Sequence, residues 1–384
     1  MRRTLHTVLA VCLVAIMAAG CGGPEQKKLK FYNKGKVLYE KGDYVKARLE
    51  LKNAVQIDPK YSDAYYMLGL TAMKQGNLRE AYGSLSKAVD LAPSNTKARV
   101  ELAGVLLRGG VPDKALEAVE TVLKAEPGNE DALVVKGACF LAKKDGDKTI
   151  GLMKDLIGKG SKSVDAFLLL AAAYAQKNDL DEASKVLQDG VKLNPTSVPL
   201  NVMLAENFVR LKRVEDATAT VEHLISLDPT NPVHKLALAD LYWGAGKQDR
   251  AVDLLKEVVA ADKKHETGRL QAAMFYLRKG KADAAEQELN SGIKENAKSF
   301  RLRFALADLY ANTNRIDQAV KTLKDCLTLE KNQANPDIIQ AKNSLAKISF
   351  AQRKLDEAQK YTDETLKESP KNLDAHFMKG SIYL

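Results

Sequence analysis

Histidine and cysteine are scarce in this sequence, five of the first and four of the second among 384 residues. His6, His223, His234, His265 and His376 never pair at metal-ligand spacing, and no His-Glu-x-x-His helix or Gly-x-Ser-x-Gly elbow occurs. The segment Gly158-Lys159-Gly160-Ser161-Lys162-Ser163 has the residue types of a phosphate loop, but Gly151 stands too far upstream, and a helical pattern precedes the segment where a strand is needed. No catalytic residue, metal ligand or cofactor is therefore expected. Aromatic residues make up only 6%, with one tryptophan, and glycine and proline are modest. Alanine, leucine, lysine and glutamate dominate instead, which excludes a disordered or collagen-like chain and points to an all-α protein. Charge is not concentrated either. The formal +10 becomes +8 without Arg2 and Arg3, and the lysines are scattered over helix faces with no aromatic platform between them. No nucleic-acid partner is expected on that ground, and the excess reads as solvated surface.

Long apolar runs are also missing, apart from residues 8–17. Arg2 and Arg3 precede that run, and Ala18, Ala19, Gly20 and Cys21 follow it. A transmembrane helix needs about 20 apolar residues; this run is shorter and ends in small side chains, as secretory signals do. The segment resembles the bacterial lipobox, with Ala18 where leucine is commoner. The resemblance implies a signal peptide over 1–20, cleavage before Cys21, acylation of that cysteine, and a lipidated tether over 21–27. Gly22 is not the aspartate associated with inner-membrane retention, so the resemblance further implies an outer-membrane anchor facing the periplasm, the inner membrane being the alternative. Several acyl chains, at about 0.8 kcal/mol per buried methylene, hold a protein on a bilayer where one short chain holds it marginally.

What the sequence does contain is a beat. Alanine recurs every 34 residues at Ala47, Ala81 and Ala115, then at Ala183, Ala217, Ala251, Ala285 and Ala319, with Thr149 breaking the run. Proline keeps the same interval at Pro59, Pro93, Pro127, Pro195 and Pro229, just past the second helix of each unit, where it cannot continue a helix. The second unit shows the pattern most fully: Tyr65, Leu68 and Gly69 in one helix, Ala81, Leu85 and Ala88 in the next. Small side chains at Gly69 and Ala81 are expected to face each other where the helices cross, with Leu68 and Leu85 filling the space beside them. Ala103, Ala171, Ala205, Ala239, Ala273 and Ala307 take the Gly69 place later on. Turn signals such as Lys41-Gly42-Asp43, Gln75-Gly76-Asn77, Lys177-Asn178-Asp179 and Lys279-Gly280-Lys281 lie inside the units.

This pattern resembles the tetratricopeptide repeat (TPR), a helix-turn-helix unit that buries its apolar face only by stacking on neighbours. The resemblance implies an all-α TPR solenoid, a right-handed superhelix of about ten repeats plus an incomplete eleventh. The array should occupy 28–384, with repeats near 28–61, 62–95, 96–129, 130–163, 164–197, 198–231, 232–265, 266–299, 300–338 and 339–372 and a half repeat at 373–384. The fourth repeat, with Thr149 for alanine and no proline, is expected to be loose or bent. Ala319 to Ala358 is 39 residues, five more than the beat, which predicts a longer loop near 331–336. Phe377, Ile382 and Leu384 are apolar where a terminal helix is normally polar, which suggests a piece of a longer array or a docking helix. Cys12 leaves with the signal. Cys139 and Cys326, in repeats five units apart, read as small packing residues beyond disulfide reach.

In TPR proteins the first helices line the concave wall. One row on those helices runs Tyr32, Tyr66, Val100 and Val134, and another Tyr39, Met73, Leu107 and Leu141, reaching Trp243 further along. Tyr32, Tyr39, Tyr66, Met73 and Trp243 are the candidate partner-binding residues, since aromatics anchor protein recognition; packing between repeats is the competing role for each. A TPR subclass grips peptide C-termini with lysine, arginine and asparagine. Its places here are Tyr32, Lys36, Met67, Lys97 and Glu101, and only Lys97 fits, so that mode is not expected. The whole implies a non-enzymatic, membrane-anchored periplasmic scaffold that takes proteins or peptides in its groove. The phrase Lys41-Gly42-Asp43-Tyr44 followed by residues 47–54 resembles the TPR lipoproteins of exosortase and exopolysaccharide systems. A pilus or outer-membrane assembly lipoprotein is the rival reading, and a polysaccharide-binding or enzyme-associated factor is the rival from another class.

Overall fold

The computed structural model describes residues 23–262, 264 and 266–384, and among them there are 21 α-helices and no strand. The helices pair in chain order. The first five pairs are α1 (Pro24–Glu40) with α2 (Tyr44–Ile57), α3 (Ser62–Lys74) with α4 (Leu78–Leu91), α5 (Thr96–Arg108) with α6 (Pro112–Ala125), α7 (Glu130–Ala142) with α8 (Gly146–Gly158), and α9 (Val164–Gln176) with α10 (Leu180–Leu193). Then come α11 (Val198–Arg210), α12 (Val214–Leu227), α13 (Pro232–Gly244), α14 (Gln248–Ala261), α15 (Glu266–Arg278), α16 (Ala282–Glu295), α17 (Phe300–Asn312), α18 (Ile316–Cys326), α19 (Pro336–Ala351), α20 (Leu355–Glu368) and α21 (Leu373–Tyr383). Two compact bodies result, the first ending at Lys212 and the second spanning Arg213–Leu384. The first holds five helix pairs and α11, and the second holds α12, four helix pairs and α21. No described helix is long and apolar enough to cross a membrane.

Each pair is closed by a three-residue turn with one backbone solution. In the first, the Gly42 amide donates to Tyr39 O and the Asp43 amide to Leu38 O, at 3.0 and 2.9 Å, while the Asp43 carboxylate accepts the Lys46 amide and so starts α2. One residue thus closes a helix and caps the next. The central residue must be left-handed, and Gly42, Gly76, Gly110, Gly246 and Gly280 supply that φ freely. At the same place in other repeats Lys144, Asn178, Lys212, Asn314 and Arg353 adopt φ near 60°, a conformation that costs an L-residue energy.

The periodic small residues form the core. Ala47, Ala81, Ala115, Ala251, Ala285 and Ala319 are wholly buried. The fit at Gly69 differs from the sequence expectation: a Cβ there would meet Leu85 Cγ at 2.5 Å, so the glycine makes room for a leucine and not for Ala81. Gly35 stands to Leu51, and Gly137 to Met153, in the same way. Tyrosines lock successive repeats of the second body together: the Tyr242 hydroxyl donates to Glu222 Oε1 at 2.8 Å and that of Tyr310 to Glu286 Oε1 at 2.7 Å, with Arg315 lying over the Tyr310 ring.

Two expectations are corrected. The first helix begins at Pro24, inside the segment assigned to the tether, because Pro24 opens a helix well and Glu25 pairs with Lys28 one turn on. The fourth repeat is not loose: Thr149 is fully buried, its hydroxyl 3.1 Å from Gly137 O and 3.2 Å from Asp145 O. The five extra residues do lengthen a loop, as expected: 327–335 has nine residues where most connections have four, while α18 stops early at Cys326 and α19 starts early at Pro336. Cys139 and Cys326 are free and wholly buried, and burial pushes both thiols up to about 11.

Candidate partner-binding groove

Throughout the first body each first helix touches the next first helix, whereas no comparable contact joins second helices among the described residues. The first helices therefore form the inner wall. In the first body that wall holds a cavity of about 330 Å³ spanning the second to fifth repeats. Its apolar floor is Tyr66 and Met73 of α3, Val100 and Gly104 of α5, and Val134 and Val135 of α7. Gly104 keeps the floor open, since a Cβ there would meet nothing within 4 Å. Around it stand Lys97, Glu101 and Arg108 of α5, Asn129 and Asp131 at the start of α7, and Asp165 of α9.

Glu101 is the charged group set deepest in this wall. Burial pushes its carboxyl above the usual carboxylate range, with Asp131 adding to the effect and Arg108 and Lys74 opposing it. Burial likewise raises the Tyr66 phenol, and Glu101 adds to that.

The candidate residues fall into three groups. Tyr66 and Met73 line the cavity and also pack on the cluster around Ala72, Leu85 and Val105. Tyr32 and Tyr39 are half-buried on α1 against Leu51, Met67 and Leu68, Tyr32 tilted on the Tyr61 ring at 5.0 Å and Tyr39 edge-on to Tyr44 at 5.5 Å. Lys28 sits 4.9 Å over the Tyr61 ring, whose phenol is pushed up to about 12, chiefly by burial. Trp243 belongs to the second body, edge-on to Phe275 at 5.5 Å and to Tyr276 at 6.2 Å, so its ring is engaged in packing between repeats. Cys21 lies outside the described residues. Glu101, Asp131 and Asp165 were not singled out as groove residues by the sequence reading, which had weighed Glu101 only against a carboxylate-binding clamp. An acid on a first helix, two residues before the small Ala103, was the available signal.

Other hollows are less suited to a partner. One of about 600 Å³ lies beside the long connection of the second body, where Asn343 donates to Asn372 Oδ1 at 3.2 Å and Lys347 pairs with Asp374 at 3.5 Å. Those polar groups satisfy one another. A hollow of about 220 Å³ in the first body is floored by Ala171, Ala172 and Ala175, and Asn207 beside it donates to Leu180 O and Ser184 Oγ, both at 2.7 Å. Among the described residues no group of histidine, cysteine or acidic side chains could hold a metal ion.

Known proteins share this architecture. A family model described as TPR repeat matches 35–76, one described as tetratricopeptide repeat matches 72–139 and 242–301, and another of that description matches 164–197 and 300–333. Together they cover more than half of the chain. No curated protein matches. Among solved structures, MamA from Desulfovibrio magneticus RS-1 is 19% identical with a TM-score of 0.40, over 45% of this chain and 97% of its own. A tetratricopeptide repeat protein from Parabacteroides merdae ATCC 43184 is 20% identical with a TM-score of 0.39, over 75% of this chain and 100% of its own. By its helix pairs, its 34-residue beat and the family-model matches the chain belongs to the tetratricopeptide-repeat family, whose members are in general protein-interaction scaffolds.

Proposed function

We propose that this chain is a non-enzymatic scaffold that holds a segment of a partner protein against the inner wall of its first body. One observation carries the reading: the cavity floored by Tyr66, Met73, Val100 and Val134, apolar at the bottom and polar at the rim, is built wholly from first helices and the turns that lead into them. That is the form of a recognition pocket with aromatic anchors. A photocrosslinking residue placed at Tyr66 or Met73 in cells should trap a common partner that the same residue at Val45, exposed on α2, does not. Equal yields of the same adducts from both faces would sink the groove reading.

The scaffold is further proposed to be anchored by lipid on Cys21 to the outer membrane, facing the periplasm. Arg2, Arg3, the apolar run 8–17 and the small residues before Cys21 support this. Cys21→Ser should move the protein out of the membrane fraction. Retention of that variant in the membrane would mean an uncleaved helix instead of an acyl anchor. The likeness of the first repeats to TPR lipoproteins of exopolysaccharide export supports a place in such a system, which the genes flanking this one would test.

A further inference from the structure

The cavity of the first body joins two features that a ligand must answer together. Its floor is apolar, and its volume of about 330 Å³ lies at the low end of ligand pockets, about 300–1,000 Å³. That is room for one long side chain with its flanking backbone. Its half-buried charge is Glu101, and no hydrogen bond reaches that carboxylate among the described residues. Asp131 and Asp165 stand exposed on the far wall. Lys97 and Arg108, on the same helix as Glu101, and Lys74 on α3 are exposed at the rim. Lys97 is one turn from Glu101 and makes no hydrogen bond to it; Arg108 and Lys74 act on it only at a distance.

Resting on the groove reading, we infer that this cavity takes a lysine or arginine of the partner segment, its stem on Tyr66, Met73, Val100 and Val134 and its cationic head at Glu101. The alternatives fit worse. An apolar side chain would cover Glu101 and strip its remaining water with no partner in exchange. An acidic one would meet Glu101, Asp131 and Asp165 at once. A basic side chain is amphipathic in the sense required, with an apolar stem ending in a charge, and its hydrogen bond to a carboxylate is of the stronger, charge-assisted kind.

The test uses the full chain in detergent and capped nonapeptide libraries whose central residue is lysine, arginine, norleucine or glutamate, all other positions being randomised. Lysine and arginine libraries should be retained about tenfold better than norleucine, the effect of one charge-assisted bond, and glutamate worst. Glu101→Gln, a near-isosteric change whose fold is checked by circular dichroism, should erase the preference while keeping the norleucine peptides. Gly104→Phe, which fills the cavity from an open position, should release all of them. Equal retention of lysine and norleucine, or a lysine preference that survives Glu101→Gln, overturns this inference and leaves the groove reading standing. Absence of retention for every library, or retention indifferent to Gly104→Phe, overturns the groove reading itself.

Discussion

Replacing Gly69 by alanine sets two effects of known size against each other. Glycine inside a helix is about 0.8–1 kcal/mol less favourable than alanine, so the substitution should stabilise α3 if nothing else changed. The new methyl, however, would sit 2.5 Å from Leu85 Cγ and 2.7 Å from its Cδ2, and Leu85 is wholly buried with nowhere to go. Overpacking of this kind costs about 1–3 kcal/mol, and the net is a loss of about 1 kcal/mol. Gly83 in α4 and Gly151 in α8 are internal controls, because a Cβ at either meets nothing within 4 Å; alanine there should add about 0.5–1 kcal/mol. The chain also contains the relaxed solution, since its third repeat pairs Ala103 with Val119, both fully buried. Leu85→Val alone should cost about 1 kcal/mol, yet combined with Gly69→Ala it should cost less than the sum, by about 1 kcal/mol of coupling. Repeat arrays open locally, so the readout is hydrogen exchange of the α3 amides alongside urea unfolding. If Gly69→Ala protects α3 as Gly83→Ala protects α4, or if Leu85→Val adds its full cost to the double variant, the packing argument is wrong.

Three other outcomes follow from particular residues. Lys144→Gly frees a left-handed turn of its side-chain penalty and should raise stability by about 0.5–1 kcal/mol in urea unfolding, whereas Gly76→Lys should lower it by a similar amount. Thr149→Ala restores the residue of the other repeats but removes a buried hydroxyl that bonds Gly137 O, so it should cost about 1–2 kcal/mol, while Thr149→Ser keeps most of that bond; a gain with alanine would refute the assignment. Because the folded-state pKa of Glu101 is raised, its contribution is fully present below the ordinary glutamate range and is lost as pH rises through the raised value. Glu101→Gln should therefore be the more stable form at pH 7, by about 0.5 kcal/mol for a half-buried site that water still screens, and match the native chain at pH 4; a difference that does not change with pH would count against it.

Periodicity at 34 residues made the helix pairs, the turns and the buried alanines legible, because each depends on residues close in sequence and recurs until chance is excluded. Thr149 was misread because its partner is the backbone of Gly137, and a pattern of side chains does not show which carbonyl lies opposite. The direction of the Gly69 fit was missed for a similar reason: two small residues at one crossing suggest that they face each other, while in space a leucine fills the gap. Tyr66 and Met73, chosen from their place on the inner row, line the cavity. The pattern does not point to Glu101, because what sets it apart is half-burial without a hydrogen bond, which depends on side chains of separate repeats. Trp243, an aromatic of the same phase, packs edge-on with Phe275 and Tyr276 of the next repeat, a contact that the pattern alone does not show.

Every turn within a pair is three residues long, because its middle and last members close one helix and begin the next. An added residue there would break both ends at once. The connections between pairs carry no such double duty, and among the non-helical joints the variation in length lies in them: five residues at 159–163 and nine at 327–335, where most have four. Such an architecture has room for insertion at alternate joints only. Its hairpins act as fixed pieces, and any loop that lengthening creates stands on the edge where successive hairpins meet.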